Sequence, residues 1–266
     1  MNIILFVLFT AGFREGLCFH EVYRKYFYIN ELKNWTDAQE YCRQHYSDLA
    51  TFTSMEEINR LNRPFTDYAW IGLFDDTASW KGIMGNESNS WRWSATGTTS
   101  PGGYQKWERS EPNNADGQSY CAKMQSGVWG DVNCENKYYF VCFNAAESHP
   151  KQYFSVSIAL TWKDARSYCR QHYTDLAMIK DETENTVVAS FYPTGPYWIG
   201  LYREGWRWSH GTNSTFTNWL TGQPNNAGAI QYCVQEDNTH KWNDWPCHSL
   251  QYFLCHKCKS FIIPNN

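Results

Sequence analysis

The sequence predicts an α+β fold written out twice, and three observations carry this. The block WTDAQEYCRQHYSDLATF at 35–52 recurs at 162–179 as WKDARSYCRQHYTDLAMI. Later blocks follow in the same order in both copies: WIGL at 70–73 and 198–201, WRWS at 91–94 and 206–209, PNNA at 112–115 and 224–227. In each copy a strand-like segment precedes helical periodicity, and short aromatic strands close the copy.

The elements follow in chain order. Each copy opens on a strand, RKYFYIN (24–30) or KQYFSVS (151–157). Asn34 or Thr161 then caps a helix, with Asp37 or Asp164 near the positive end of its dipole. Trp35, Ala38 and Cys42 recur at helical spacing and share one face, as do Trp162, Ala165 and Cys169. A second helix begins with a capping-box pattern, Ser54 to Glu57 and Asp181 to Glu184. After WIGL comes a long region rich in Gly, Asn, Ser and Thr. The spacing from WIGL to WRWS is longer in the first copy, so DDTASWKGIMGNESNS (75–90) is expected to be a surface loop. The copies end in the strands YYFVCF (138–143) and YFLCHK (252–257). With only two repeats, each is expected to hold its own core. The tryptophans and WIGL are read as core.

The chain has 266 residues, 19% charged and 18% aromatic, enough for two globular domains. Its net charge is −4 and it shows no basic stripe, which argues against nucleic acid as a partner. The apolar run at 3–13 is shorter than the about 20 residues of a membrane span and matches a secretory signal, with Gly16 and Cys18 before a cleavage point. No later segment reads as a span. The expected layout is a signal peptide at 1–18, a first domain at 19–144, a linker at 145–151, a second domain at 152–258 and a tail at 259–266. The expected location is secreted and extracellular. The ten cysteines then read as disulfides. A zinc site at Cys255-His-Lys-Cys258 is the alternative, outweighed by the repeat spacing of the other cysteines.

The W-x-x-A-x-x-x-C helix, WIGL, WRWS, the EPN or QPN tripeptide and the final aromatic-x-C strand together resemble the C-type lectin-like domain family. The match covers about 23–143 and 152–256, and the tandem layout is similar to mannose-receptor-type chains. The resemblance implies two domains, each with two helices, short antiparallel sheets, a long ligand-binding loop region and two disulfides. The pairing it implies is Cys42–Cys142 with Cys121–Cys134, and Cys169–Cys255 with Cys233–Cys247. If Cys18 leaves with the signal peptide, Cys258 has no partner and implies a disulfide-linked dimer. If cleavage falls earlier, a Cys18–Cys258 bridge is the alternative.

The resemblance also implies a ligand set. In sugar-binding members one calcium ion is held by the outer residues of the tripeptide, a Glu two positions before the next Cys, and an Asn-Asp pair. The same ion takes two sugar hydroxyls. The proline is usually cis there. In the first copy Glu111, Asn113 and Asp131 match this set, but the Glu position is Ser119 and the Asn position is Gly130. Asp116 lies nearby as a replacement. In the second copy Gln223, Asn225, Gln231, Asn243 and Asp244 all carry side-chain oxygen, yet only Asp244 is a carboxylate. Calcium prefers about six to eight oxygens and gains affinity from charge, so weak binding in the ~10⁻⁴–10⁻³ M range is expected there. The carbohydrate-binding residues implied are Gln223, Asn225, Asn243 and Asp244, with Glu111 and Asn113 in the first copy. The loop NAGAIQ (226–231) holds no aromatic to stack on a sugar.

No G-x-S-x-G, H-E-x-x-H or P-loop occurs, and the resemblance points to binding rather than catalysis. Two readings stand: a secreted lectin that recognises glycans with weak calcium dependence, and a calcium-independent protein-binding module, as in inhibitors, adaptors or antifreeze-type relatives. Sequons place N-glycosylation at Asn34, Asn86 and Asn213. Asn86, in the extra loop, is the expected occupied site. Mass spectrometry of material exported from eukaryotic cells should find a glycan there, and a bare Asn86 would contradict the assignment.

Overall fold

The computed structural model describes residues 24–145, other than 62 and 65, and 151–258. The expected signal peptide, Cys18, most of the linker and the C-terminal tail lie outside these residues. The first copy begins with β1 (Arg24–Lys33), α1 (Trp35–His45), β2 (Asp48–Leu49), α2 (Met55–Asn59) and β3 (Ala69–Phe74). It continues with α3 (Thr77–Lys81), β4 (Trp91–Trp93), β5 (Ser119–Gln125), β6 (Val128–Asn133) and β7 (Tyr138–Asn144). The second copy supplies β8 (Gln152–Leu160), α4 (Trp162–His172), β9 (Asp175–Leu176), α5 (Glu182–Ala189) and β10 (Tyr197–Arg203). It ends with β11 (Arg207–Trp208), β12 (Gln231–Glu236), β13 (Trp242–Pro246) and β14 (Gln251–Cys258).

The helices start where their caps dictate. Asn34 Oδ1 accepts from the Asp37 amide at 2.9 Å, and Thr161 Oγ1 accepts from Asp164 at 3.3 Å. Ser54 and Asp181 serve Glu57 and Glu184 in the same way. Each such cap satisfies an amide that the helix itself leaves open. Trp35, Ala38 and Cys42 form the buried face of α1, and Trp162, Ala165 and Cys169 that of α4.

The sheets combine the copies crosswise. One runs β1-β14-β3-β12-β13, with β2 on β14 and β11 on β3; the other runs β6-β5-β10-β7-β8, with β4 on β10 and β9 on β7. The first unit is therefore the opening half of copy one joined to the closing half of copy two. The second unit takes the two inner halves and is continuous in sequence. The cores follow the same rule. Phe52 and Ile71 pack with Trp208, Val234 and Trp242, while Trp91, Trp93 and Trp129 pack with Ile179, Ile199 and Leu201. The expectation that each repeat closes on its own core differs from this arrangement.

The outer disulfides are corrected accordingly. They are Cys42–Cys255 and Cys142–Cys169, not Cys42–Cys142 and Cys169–Cys255. The inner pairs are Cys121–Cys134 and Cys233–Cys247, as the family pattern implies. The reason lies in the short link between the copies. β7 and β8 pair antiparallel with Asn144 opposite Gln152, so the last strand of copy one and the first of copy two are neighbours. That brings α4 onto the sheet edge beside Cys142, with a sequence separation of 27. A short closure costs less chain entropy than a long one. Because the repeats are so alike, the pocket offered by the neighbouring half is locally equivalent. Cys258 is also disulfide-bonded, and the described residues include no free cysteine. It thus has no thiol left for the expected intermolecular bridge.

The segment 75–90 also departs from the surface-loop expectation. It contains α3, and Trp80 and Met84 are buried in the core. Trp80 donates its indole N–H to Asp75 Oδ1 at 3.0 Å and lies 4.6 Å beneath the Arg203 guanidinium.

Asp75 and Arg203 occupy equivalent places, two residues beyond the two WIGL motifs, where the chain crosses between units. They form a bidentate pair at 2.9 and 3.0 Å, with side chains 1% and 0% exposed. Tyr120 lies against the same guanidinium at 5.0 Å. Removing one member of such a pair strands a buried charge, which costs about 3–5 kcal/mol. Arg203→Leu should therefore lower stability by about that amount. Urea denaturation would check it, and an unchanged midpoint would show that the pair does not hold the crossing together.

Candidate functional site

The two long loops place the sequence-predicted site residues on equivalent frames. Both tripeptide prolines, Pro112 and Pro224, follow cis peptide bonds. In the second copy Asp244, fully buried at the centre of β13, accepts the amide of Asn225 at 3.0 Å and that of Asn226 at 2.6 Å. Burial raises its pKa, and the two amides work against that rise. Asn225 Oδ1 and Gln231 Oε1 both accept the Ala227 amide, at 2.9 and 2.7 Å. Gln223 Oε1 and Asn243 Oδ1 are buried without any partner. Burying an amide oxygen unpaired is costly, and these two atoms have capacity to accept a hydrogen bond or to ligate a cation.

The first copy repeats the frame with different chemistry. Asp131 accepts the amides of Asn113 and Asn114 at 2.9 and 2.7 Å. Asn113 Nδ2 donates to Glu111 Oε1 at 2.9 Å, leaving Glu111 Oε2 and Asn113 Oδ1 unpaired. Ser119 stands in the Glu position and donates its hydroxyl to Asp116 at 2.7 Å, so Asp116 is engaged locally. At Gly130 the space of a missing side chain is bordered by Lys123 Cε at 3.3 Å and the Glu111 carboxyl carbon at 3.9 Å. The Glu111 pKa is pushed up to about 8, by burial first and then by the carboxylates of Asp131 and Glu108.

Sequence reasoning passed over two residues that join these loops. Asn114 and Asn226, the second asparagines of the repeated PNNA, are both buried in left-handed backbone, with φ 49° and 44°. Asn226 Nδ2 donates to the Asn114 carbonyl at 2.8 Å. Asn114 Nδ2 reaches Asp75 at 3.2 Å, and the side-chain oxygens of Asn114 and Asn226 accept the amides of Ser119 and Gln231. A hydrogen-bonded path thus runs from Asp131 through Asn114 and Asn226 to Asp244. The signal available in the sequence was the repetition of the asparagine itself, a residue that tolerates left-handed backbone.

The oxygen set suits a hard cation in both loops, unequally. In the second copy two free amide oxygens and two already hydrogen-bonded ones accompany a single carboxylate. In the first, two carboxylates remain, but Gly130 supplies no oxygen. The zinc alternative finds no thiolate: His210, His256 and Cys258 lie within 4.8 Å of one another, but the Cys258 sulfur is in a disulfide.

The family model described as the lectin C-type domain matches residues 31–144 and 158–257. The chain belongs to the C-type lectin domain family. Among its relatives, rat L-selectin is 32% identical over 151 residues, covering 51% of this chain and 40% of that protein. Human C-type mannose receptor 2 is 26% identical over 263 residues, covering 84% of this chain and 17% of the receptor. The chain thus spans less than half the length of these relatives. Among solved structures, the mouse scavenger receptor C-type lectin carbohydrate-recognition domain aligns at 15% identity and a TM-score of 0.38, covering 89% of this chain and 92% of that one. Herring type II antifreeze protein gives 14% and 0.38, covering 89% and 92%. Among the described residues no helix is long and apolar enough to cross a membrane.

Glu111 also has a measurable pH signature. Unfolded, it ionises near its ordinary value of 4.5; folded, it keeps its proton to about 8. The folded state binds the extra proton between those values, so stability falls as pH rises through that window. Glu111→Gln, which installs the residue of the second copy, should flatten this decline and raise the melting temperature at about pH 8 more than at about pH 5. Equal shifts at both pH values would remove the assignment.

Proposed function

We propose that this chain is an extracellular glycan-binding protein whose second-copy loop is the principal ligand site. The observation that supports this best is the pair of buried, unpartnered oxygens, Gln223 Oε1 and Asn243 Oδ1, on a frame held by Asp244. They offer acceptors to sugar hydroxyls and oxygens to a cation. Gln223, Asn225, Gln231, Asn243 and Asp244 would hold calcium, which when bound supplies positive charge to polarise ligand oxygens. With one carboxylate the attraction is weak, so calcium dependence is slight. Glu111, Asn113 and Asp131 form the lesser site of the first copy. Binding, not chemistry, is the activity. Secretion fits the disulfides, which persist in oxidising compartments. N-glycosylation fits the exposed Asn86 and Asn213 better than Asn34, whose Nδ2 donates to Asp37 at 2.7 Å.

A second reading, a calcium-independent protein-binding module, is favoured by the first copy. There Gly130 and the Ser119–Asp116 bond remove ligand groups from the loop. A glycan array read with millimolar calcium and with chelator separates the two, since a protein-binding module would retain no glycan under either condition. Restoring charge gives a further check. Gln231→Glu should tighten calcium binding in the second copy on the order of tenfold by calorimetry. No calcium heat in wild type or variant would leave this loop a scaffold only.

A further inference from the structure

The chain has 14 tryptophans, and Trp245 alone is exposed, at 36%. Indole is large and apolar, so thirteen are drawn into the cores or half-covered. Trp245 follows Asn243-Asp244 directly, on β13, the edge strand of its sheet. Successive strand residues alternate faces, so Trp245 shares its face with Asn243, two residues away. Asn243 is 9% exposed, and its Oδ1 has no partner. In the first copy the point where a Gly130 side chain would begin lies 3.9 Å from the Glu111 carboxyl carbon. Asn243 and Gln223 occupy the equivalent positions in the second copy, and Gln223 Oε1 is likewise buried without a partner. Trp245 is held in place from both sides. Asp244 is tied to the loop amides, and Cys233, its register partner, is bonded to Cys247. The first copy has Val132 in the equivalent register, opposite Cys121 and packed partly into the core. Ile230, 51% exposed, adjoins Gln231, whose register partner is Pro246.

We propose that Trp245 is an aromatic platform for the apolar face of a terminal pyranose, whose hydroxyls donate directly to Gln223 Oε1 and Asn243 Oδ1. A sugar ring has the two properties this place demands: a face of C–H groups for an indole and adjacent hydroxyl donors for two neutral acceptors. Both acceptors are uncharged amides, so the hydroxyls satisfy them without a metal between. This inference rests on the glycan-binding reading and sharpens it: recognition is direct, and Trp245 carries it together with the two amides.

The test uses the full chain labelled with 5-fluorotryptophan and observed by fluorine NMR in chelator. The probes are the methyl glycosides of galactose, mannose and N-acetylglucosamine. The Trp245 resonance is assigned by its loss in Trp245→Phe. At least one glycoside should shift that resonance saturably. Trp245→Ala should weaken the same glycoside by about tenfold, and Trp245→Phe should retain most of the affinity. Saturable binding that leaves the Trp245 resonance unmoved, or binding abolished by chelator, would overturn the proposal while leaving a glycan-binding protein. If no glycan is bound in calcium or in chelator, on the array or here, the glycan-binding reading itself fails, and this inference fails with it.

Discussion

The architecture depends on the shortness of residues 145–151. A connection of that length can join only strands that lie near each other, and here its ends meet in register as Asn144 opposite Gln152. The last strand of copy one and the first of copy two therefore become neighbours. The outer unit pairs its first strand with its last, β1 with β14. Once β7 and β8 take those roles for the inner unit, β1 is left for β14, and the crosswise assembly follows. The inner unit is the one built from near contacts, while the outer unit closes over a disulfide separation of 213 residues.

The crossing points are where the two repeats differ in charge. Copy one has Asp75 and copy two has Arg203 two residues after the same WIGL motif, and they neutralise each other in the buried space between units. From this pair the polar network extends through Asn114 to Asn226 and so to both loops. The candidate sites are thus built on the same buried polar contacts that join the units.

Much of this was legible in the sequence, for stated reasons. Helix starts were read from Asn34, Ser54, Thr161 and Asp181 because capping is local chemistry. The inner disulfides followed from the family pattern because each joins one strand of a hairpin to the residue just after its partner strand. The pairing of halves was not legible. Two nearly identical helices, carrying Cys42 and Cys169, offer the same surface to two strands that share the Tyr-Phe and Cys positions, so residue type cannot choose between them. Trp80 was misplaced because the extra loop was defined by an insertion, and an insertion says nothing about where its tryptophan goes. The loop residues Gln223, Asn225, Asn243 and Asp244 were found from the resemblance. Trp245 stood beside them unnoticed because its exposure depends on the packing of β13.

The pairing of β1 with β14 also decides how the molecule would bear load. Arg24 lies opposite Cys258, so the two ends of the described chain leave the same pair of strands. Tension applied at those ends would pass along β1 and α1, cross at Cys42–Cys255 and leave by β14. Everything from 43 to 254, including the whole inner unit and both loops, hangs outside that route. While the bond is oxidised, pulling strains the strands at its margins and leaves both loops slack; once it is reduced, the same pull passes through the interior, sparing only the segments that Cys121–Cys134, Cys142–Cys169 and Cys233–Cys247 still enclose.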